Sequence, residues 1–161
     1  MLKLVAKYGD GCNLELKPSG CENKLKILNE YCKKEDRDPS QIRKSLHAVV
    51  IVGQDKDEVK ERTTRFSRIQ RMSLKEKLEL TFKKPKKVLA HVRKRLISPP
   101  LGYVAGTPEE CAERLLEFKE VGITYFMLYI VDAIERAPLR LFAKKVVPLV
   151  KKGYSSISCN R

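Results

Sequence analysis

Leu46-His47-Ala48-Val49-Val50-Ile51-Val52, closed by Gly53, is the stretch on which the fold turns. It is a nearly continuous β-branched run, apolar at odd and even positions alike. A parallel strand covered on two sides requires such a run. Ile123 to Val131 reads as a second buried strand of the same kind. Between them, Gly106-Thr107-Pro108-Glu109-Glu110 has the chemistry of a helix start. Thr107 can cap, Pro108 suits the first helical position, and Glu110 three residues on completes a capping box. Ala112, Leu115, Leu116 and Phe118 then form an apolar stripe that Gly122 ends.

Outward from these segments the pattern repeats. Leu2, Val5 and Ala6 have helical spacing, stopped at Gly9 and Gly11. Cys12 to Leu16 is a short strand candidate closed by Pro18-Ser19-Gly20, and helical periodicity from about Glu22 to Lys34 breaks at Asp36 to Ser40. A polar helix is expected from Asp55, a loop at Ser98-Pro99-Pro100-Leu101-Gly102, and a last helix from Pro138 to about Lys152. In that last helix Leu139, Phe142, Val146, Leu149 and Val150 are expected inward, with Pro148 loosening the final turn. Strands alternating with helices argue for right-handed βαβ units and an α/β fold on a parallel sheet of about three strands.

The 161 residues fit one domain, 1–161, with residues 55–100 as a basic helical insertion within it. Hydrophobic residues make up 42% and charged residues 34%, a globular balance. No apolar run approaches a membrane span or a signal-peptide core, so a cytoplasmic address is expected. Few Asn and Gln beside abundant Lys and Glu point to a thermophilic source. The five cysteines include no Cys-x-x-Cys pair, which supports neither a zinc site nor a thioredoxin-like motif. Cys21, Leu25, Leu28 and Cys32 share one helical face, so buried free thiols are expected there. No metal site is expected, and no basic partner at readable spacing makes a cysteine nucleophilic.

The net charge of +14 is concentrated. From Lys60 to Arg95 there are fourteen Lys or Arg against Glu61, Glu76 and Glu79. Arg62, Arg65, Arg68 and Arg71 recur every third residue, a slowly drifting helical stripe able to track phosphates or another anionic partner. A solvated face, or one that docks on an acidic partner, explains the same residues and is favoured, because only Phe66 and Phe82 interleave the charge. Nucleic-acid binding is therefore expected to be weak.

Three stretches in order resemble the luciferase-like monooxygenase superfamily, which includes bacterial luciferase and coenzyme F-420-dependent reductases. The first is Ala6-Lys7-Tyr8-Gly9-Asp10-Gly11-Cys12-Asn13, similar to the family's approach to its sixth barrel strand. The second runs from Leu28-Asn29-Glu30-Tyr31-Cys32 through Arg37-Asp38-Pro39-Ser40-Gln41-Ile42 into the strand that ends at Gly53. The third is Gly106 to Leu115, followed by Gly122, a strand, Leu141-Phe142-Ala143 and Val147-Pro148-Leu149. Each is weak alone; the shared order and spacing are specific.

The resemblance implies a partial (β/α)8 TIM barrel made of the sixth to eighth strands with their helices. A complete barrel of this type takes about 250 residues. The family's cofactor-phosphate glycines and its N-terminal catalytic residues would lie upstream of this chain, so the catalytic residues here are unknown. His47 and His91 are not read as replacements, His47 being placed near the start of its strand, at the stability face. The implied function is a C-terminal portion or subunit of a flavin- or deazaflavin-dependent oxidoreductase, inactive without its N-terminal half. The alternative is a non-catalytic binding or assembly module that uses the basic 60–95 segment. FMN or coenzyme F-420 is the parent family's cofactor, and neither is expected to bind tightly to this chain alone. A homo-oligomer or a complementary N-terminal half is the expected partner, since severed strands leave raw edges and an uncovered face.

In a parallel barrel, ligands sit at the C-terminal ends of the strands. Those ends offer Asn13, Glu15 and Lys17 after the first strand, and Tyr129 and Asp132 after the last. Asn13, Glu15 and Lys17 read as a polar, anion-tolerant substrate mouth or as solvated loop residues, the second being favoured because loops are polar anyway. Asp132 could equally cap the turn before Pro138. Capping accounts for Glu109 and Glu110 better than acid–base work does.

Overall fold

A computed structural model describes residues 1–67 and 103–158. In chain order the elements are α1 (Leu2–Tyr8), β1 (Gly11–Leu14), α2 (Pro18–Lys34), β2 (Arg43–Val52), α3 (residues 56–67), β3 (Tyr103–Gly106), α4 (Pro108–Glu120) and β4 (Tyr125–Ile130). A helical run closes the described chain: α5 (Ala137–Leu141), a π-helical turn (Phe142–Val146) and α6 (Val147–Ser158). The basic residues from Arg68 to Arg95, and the expected loop at 98–102, lie outside the described residues.

All strand pairings are parallel, and β2 is the hub. β4 runs along one edge of β2, with Ser45 to Val50 opposite Tyr125 to Ile130. On the other edge β1 and β3 lie end to end, β1 opposite Arg43–Leu46 and β3 opposite Val49–Val52. The β1, β2 and β4 strands are the three that the sequence announces. β3 is additional: a four-residue strand that exists because Val49–Val52 offers a free edge to pair with.

Alternation along β2 separates two faces. Leu46, Ala48, Val50 and Val52 point into the core, with Cys12 and Leu14 from β1 and Val104 from β3. Helices cover this side through Leu25, Leu28 and Cys32 of α2, Cys111, Leu115 and Phe118 of α4, and Phe142 and Val146 of the π turn. Phe118 is 1% exposed, and burying a side chain of that size stabilises by roughly 1.5–3 kcal/mol. Cys12, Cys21, Cys32 and Cys111 are all buried.

The ends of the elements follow from local chemistry. Thr107 Oγ1 accepts from the Glu110 N–H at 3.5 Å while the Thr107 N–H donates to Glu110 Oε2 at 2.9 Å, so the capping box forms. Gly106 fits beside it because a Cβ there would stand 2.7 Å from the Glu110 side chain. Gly122 ends α4 with φ of 101°, a conformation open to glycine. α2 begins at Pro18, four residues before the sequence expectation, with the proline in the first turn where its missing N–H costs nothing.

The last helix departs from simple periodicity. Phe142 and Val146 are buried, but Leu139 is 46% and Leu149 37% exposed. Pro148 lacks an N–H and its ring crowds the carbonyl four residues back. The helix answers with the wide turn at Phe142–Val146, one turn before the proline. That turn takes up an extra residue, so positions on either side of it no longer share one face.

Candidate functional site

The second face of the sheet carries a different set of residues. Gly11 and Asn13 from β1, Glu15 just beyond it, Arg43, Ser45, His47 and Val49 from β2, and Tyr125, Met127 and Tyr129 from β4 all fall on it by alternation. Tyr125 is 48%, Met127 39% and Tyr129 57% exposed. Ile51, further along β2 on this face, is fully buried, so the open area lies over β4 and the first half of β2.

Polar residues here pair across strands. Ser45 Oγ lies 3.1 Å from Asn13 Oδ1 and 3.3 Å from the Cys12 carbonyl oxygen. One step further, Glu15 Oε1 lies 2.9 Å from His47 Nδ1. The Arg43 guanidinium stacks over the Tyr125 ring at 5.6 Å. Asn13 and Glu15, two of the three expected mouth residues, therefore stand in one row on this face. Lys17 does not join them; it is exposed at the head of α2.

His47 was expected near the start of its strand. β2 begins at Arg43, because β1 pairs with it from there, and that places His47 fifth of ten residues, at mid-height on the open face. A carboxylate-held imidazole can accept or deliver a proton at its free nitrogen. It is the one imidazole among the described residues.

A second polar cluster ties α3 to the end of β4. Arg62 is 9% exposed; its Nη2 and Nε lie 2.6 and 3.1 Å from Glu58 Oε1. Its Nη1 lies 3.6 Å from Asp132 and 3.9 Å from Glu135 and makes no hydrogen bond. Arg65 hydrogen-bonds Asp132 and lies 3.3 Å from Glu135. The Asp132 bond and charge hold the Arg65 pKa above its ordinary value. The Gln54 N–H, then Arg62, holds the Glu58 carboxylate below its own. Asp132 adopts φ of 58° and makes no side-chain cap bond, so the expected capping role gives way to ion pairing with α3. Arg62 and Arg65, two of the four stripe arginines, thus face carboxylates of their own chain, and Arg68 and Arg71 lie outside the described residues.

Among the described residues no three His, Cys, Asp or Glu side chains gather to hold a metal ion, and no helix is long and apolar enough to cross a membrane. Cys111 has its Sγ 3.5 Å from the Gly106 carbonyl oxygen, and burial, then Glu110 and Glu109, push its pKa from 9.0 to about 12. A thiol so hard to ionise is a core residue, not a nucleophile.

Residues 1–125 match the family model of the luciferase-like monooxygenases. The chain belongs to the luciferase-like monooxygenase family. Its fold is that of part of a (β/α)8 barrel, as solved structures of luciferase-like proteins show. Long-chain alkane monooxygenase superposes with a TM-score of 0.71 at 19% identity, over 94% of this chain and 39% of that one. The coenzyme F-420-dependent tetrahydromethanopterin reductase of Methanopyrus kandleri gives 0.61 at 15% identity, over 92% and 47%. Riboflavin lyase, solved with modified FMN and riboflavin, gives 0.70 at 14% identity, over 94% and 40%. The chain spans less than half the length of each. No curated protein matches it.

Proposed function

We propose that this chain forms one wall of a luciferase-like oxidoreductase chamber and works when further strands close its open face. The observation that supports this reading is the contrast across the sheet. One side is sealed by helices, while Tyr125, Met127, Tyr129 and the Glu15–His47 pair stand on the other with 39–57% exposure of the three β4 side chains. Exposed apolar and aromatic side chains, beside strand edges that have no partner among the described residues, favour association with more protein. A second copy, or the remainder of the barrel, would supply the covering strands.

The cofactor of such a chamber is FMN or coenzyme F-420, and when bound it supplies the electron-transfer chemistry. The wall alone does not fit either. The one orphaned buried polar atom among the described side chains, Arg62 Nη1, faces Asp132 and Glu135 rather than the open face. Within a closed chamber Glu15 would hold His47 in one orientation, leaving its Nε2 to accept or donate a proton, while Tyr125, Met127 and Tyr129 would exclude water.

Light scattering with sedimentation at tens of micromolar, together with fluorescence titration of FMN and F-420, tests the reading. Assemblies heavier than one chain, and no stoichiometric cofactor binding by the chain alone, are the expected results. A sharp monomer would remove the need for a covering partner. Tight one-to-one binding of either cofactor would show the wall to be a complete site.

A further inference from the structure

A cleft of about 450 Å³ opens between the residue that follows β2 by two positions, Gln54, and the start of the last helical run. Its charged lining is Arg136, Arg140, Lys144 and Lys145 against one acid, Glu135. Glu135 is already engaged: its carboxylate oxygens lie 3.3 Å from Arg65 and 3.9 Å from Arg62, on the α3 side. None of the four cleft cations has a carboxylate partner among the described residues. The two arginine groups therefore have opposite fates. Arg62 and Arg65 are neutralised within the chain, whereas Arg136, Arg140 and the two lysines leave a net positive cleft.

The cleft is also held in shape. Asp132 and Arg136 bracket the turn leading into it with φ of 58° and 60°, a left-handed conformation that aspartate tolerates and arginine seldom adopts. The Asp132 and Glu135 ion pairs with α3 fix that turn. Lys144 and Lys145 sit in the π-helical turn, where the widened backbone brings adjacent residues round to the same opening. From Arg136 to Lys144 the cations form a row roughly 10–12 Å long at helical rise. A single carboxylate or phosphate would reach two of them; linked phosphoryl groups would reach three or four.

We propose that this cleft binds a diphosphate-bearing small molecule, the guanidinium and ammonium groups donating charge-assisted hydrogen bonds to its phosphoryl oxygens. The four cations that carry the proposal all stand on one helical run of this chain, so their arrangement is set within it.

Calorimetric titration of the purified chain with inorganic pyrophosphate, at ionic strength held constant with sodium chloride, tests it. Saturable binding at one site is expected, with orthophosphate about tenfold weaker, as loss of one or two charge-assisted contacts implies. Arg140→Glu with Lys144→Glu should weaken pyrophosphate by about tenfold or more. Lys3→Glu with Lys24→Glu, the same change of charge at exposed positions on α1 and α2, should weaken it by less than about threefold. Equal weakening by the two pairs would reduce the effect to diffuse attraction and overturn the proposal, as would failure to saturate or equal affinity for orthophosphate. Should the reversed pair melt early by circular dichroism, Arg140→Gln with Lys144→Gln, which adds no repulsion, carries the same comparison.

Discussion

The two faces of the β2 strand differ in how their side chains are satisfied. On one face Leu46, Ala48, Val50 and Val52 are 0–2% exposed beneath helices. On the other, Ser45 and His47 find polar side-chain partners across the strand, Asn13 and Glu15, and the β4 neighbours Tyr125, Met127 and Tyr129 stay open. One ladder thus supports a finished core and an unfinished surface. Stability resides on the first face, and the groups with chemical capacity gather on the second.

Substitutions on opposite faces should separate most widely. Leu46→Ala empties a fully buried site and should cost about 2–5 kcal/mol in denaturant unfolding. Tyr129→Ala, at 57% exposure in the single chain, should cost no more than about 0.5 kcal/mol at concentrations too low for assembly. A comparable loss at both positions would mean that the open face is covered in solution.

Alkali sharpens the contrast from the packed side. The folded-state pKa of Cys111 lies at about 12, above its ordinary value of 9.0. Its contribution is therefore complete below 9.0 and lost as pH rises toward 12. Beyond the ordinary value the loss should approach about 1.4 kcal/mol per pH unit. Cys111→Ala should flatten the pH dependence of the melting temperature in that window.

At the junction of α3 with the sheet the sign reverses. Glu58 is held below the ordinary carboxylate range, so its stabilisation is present above that range and disappears as pH falls through the depressed value. Glu58→Gln should remove an acid-side loss of less than about 1 kcal/mol, because partly exposed ion pairs are screened. Equilibrium unfolding between pH 5 and pH 3, on the order of the carboxylate range, measures it.

The smallest effect belongs to the open face. A double-mutant cycle on Glu15→Gln and His47→Asn, run at concentrations too low for assembly, should return a coupling of about 0.2–1 kcal/mol, as exposed cross-strand pairs do. A larger coupling would indicate that the pair is already desolvated by a covering partner.

The sequence made some of this legible and hid the rest for physical reasons. The Thr107–Glu110 capping box is a contract among four neighbouring residues, so it could be read from them alone. β3 could not be: Tyr103–Gly106 is a strand because it pairs with Val49–Val52, more than fifty residues away in sequence. Asn13 and Glu15 were visible as polar residues at a strand end. The β-branched run alone sets His47 near the start of its strand, short of its true position. Arg43, Ser45 and His47, polar at alternate positions against Leu46 and Ala48, were the signal that the strand starts earlier and turns one side outward. In the last helix a fixed period of 3.6 residues placed Leu139 and Leu149 inward, and no local pattern reveals the wide turn that moves them out.

Because every pairing on β2 is parallel, each strand hands over to its following segment at the same rim: Glu15 to Lys17, Gly53 to Asp55, Gly106 to Thr107, and Val131 to Arg136. Four crossings gathered at one end make that rim the part of the molecule with most room for change, outside the fixed points at Gly53, Gly106 and the Thr107–Glu110 box. The opposite rim, where the strands begin, is the side on which barrels keep residues for stability.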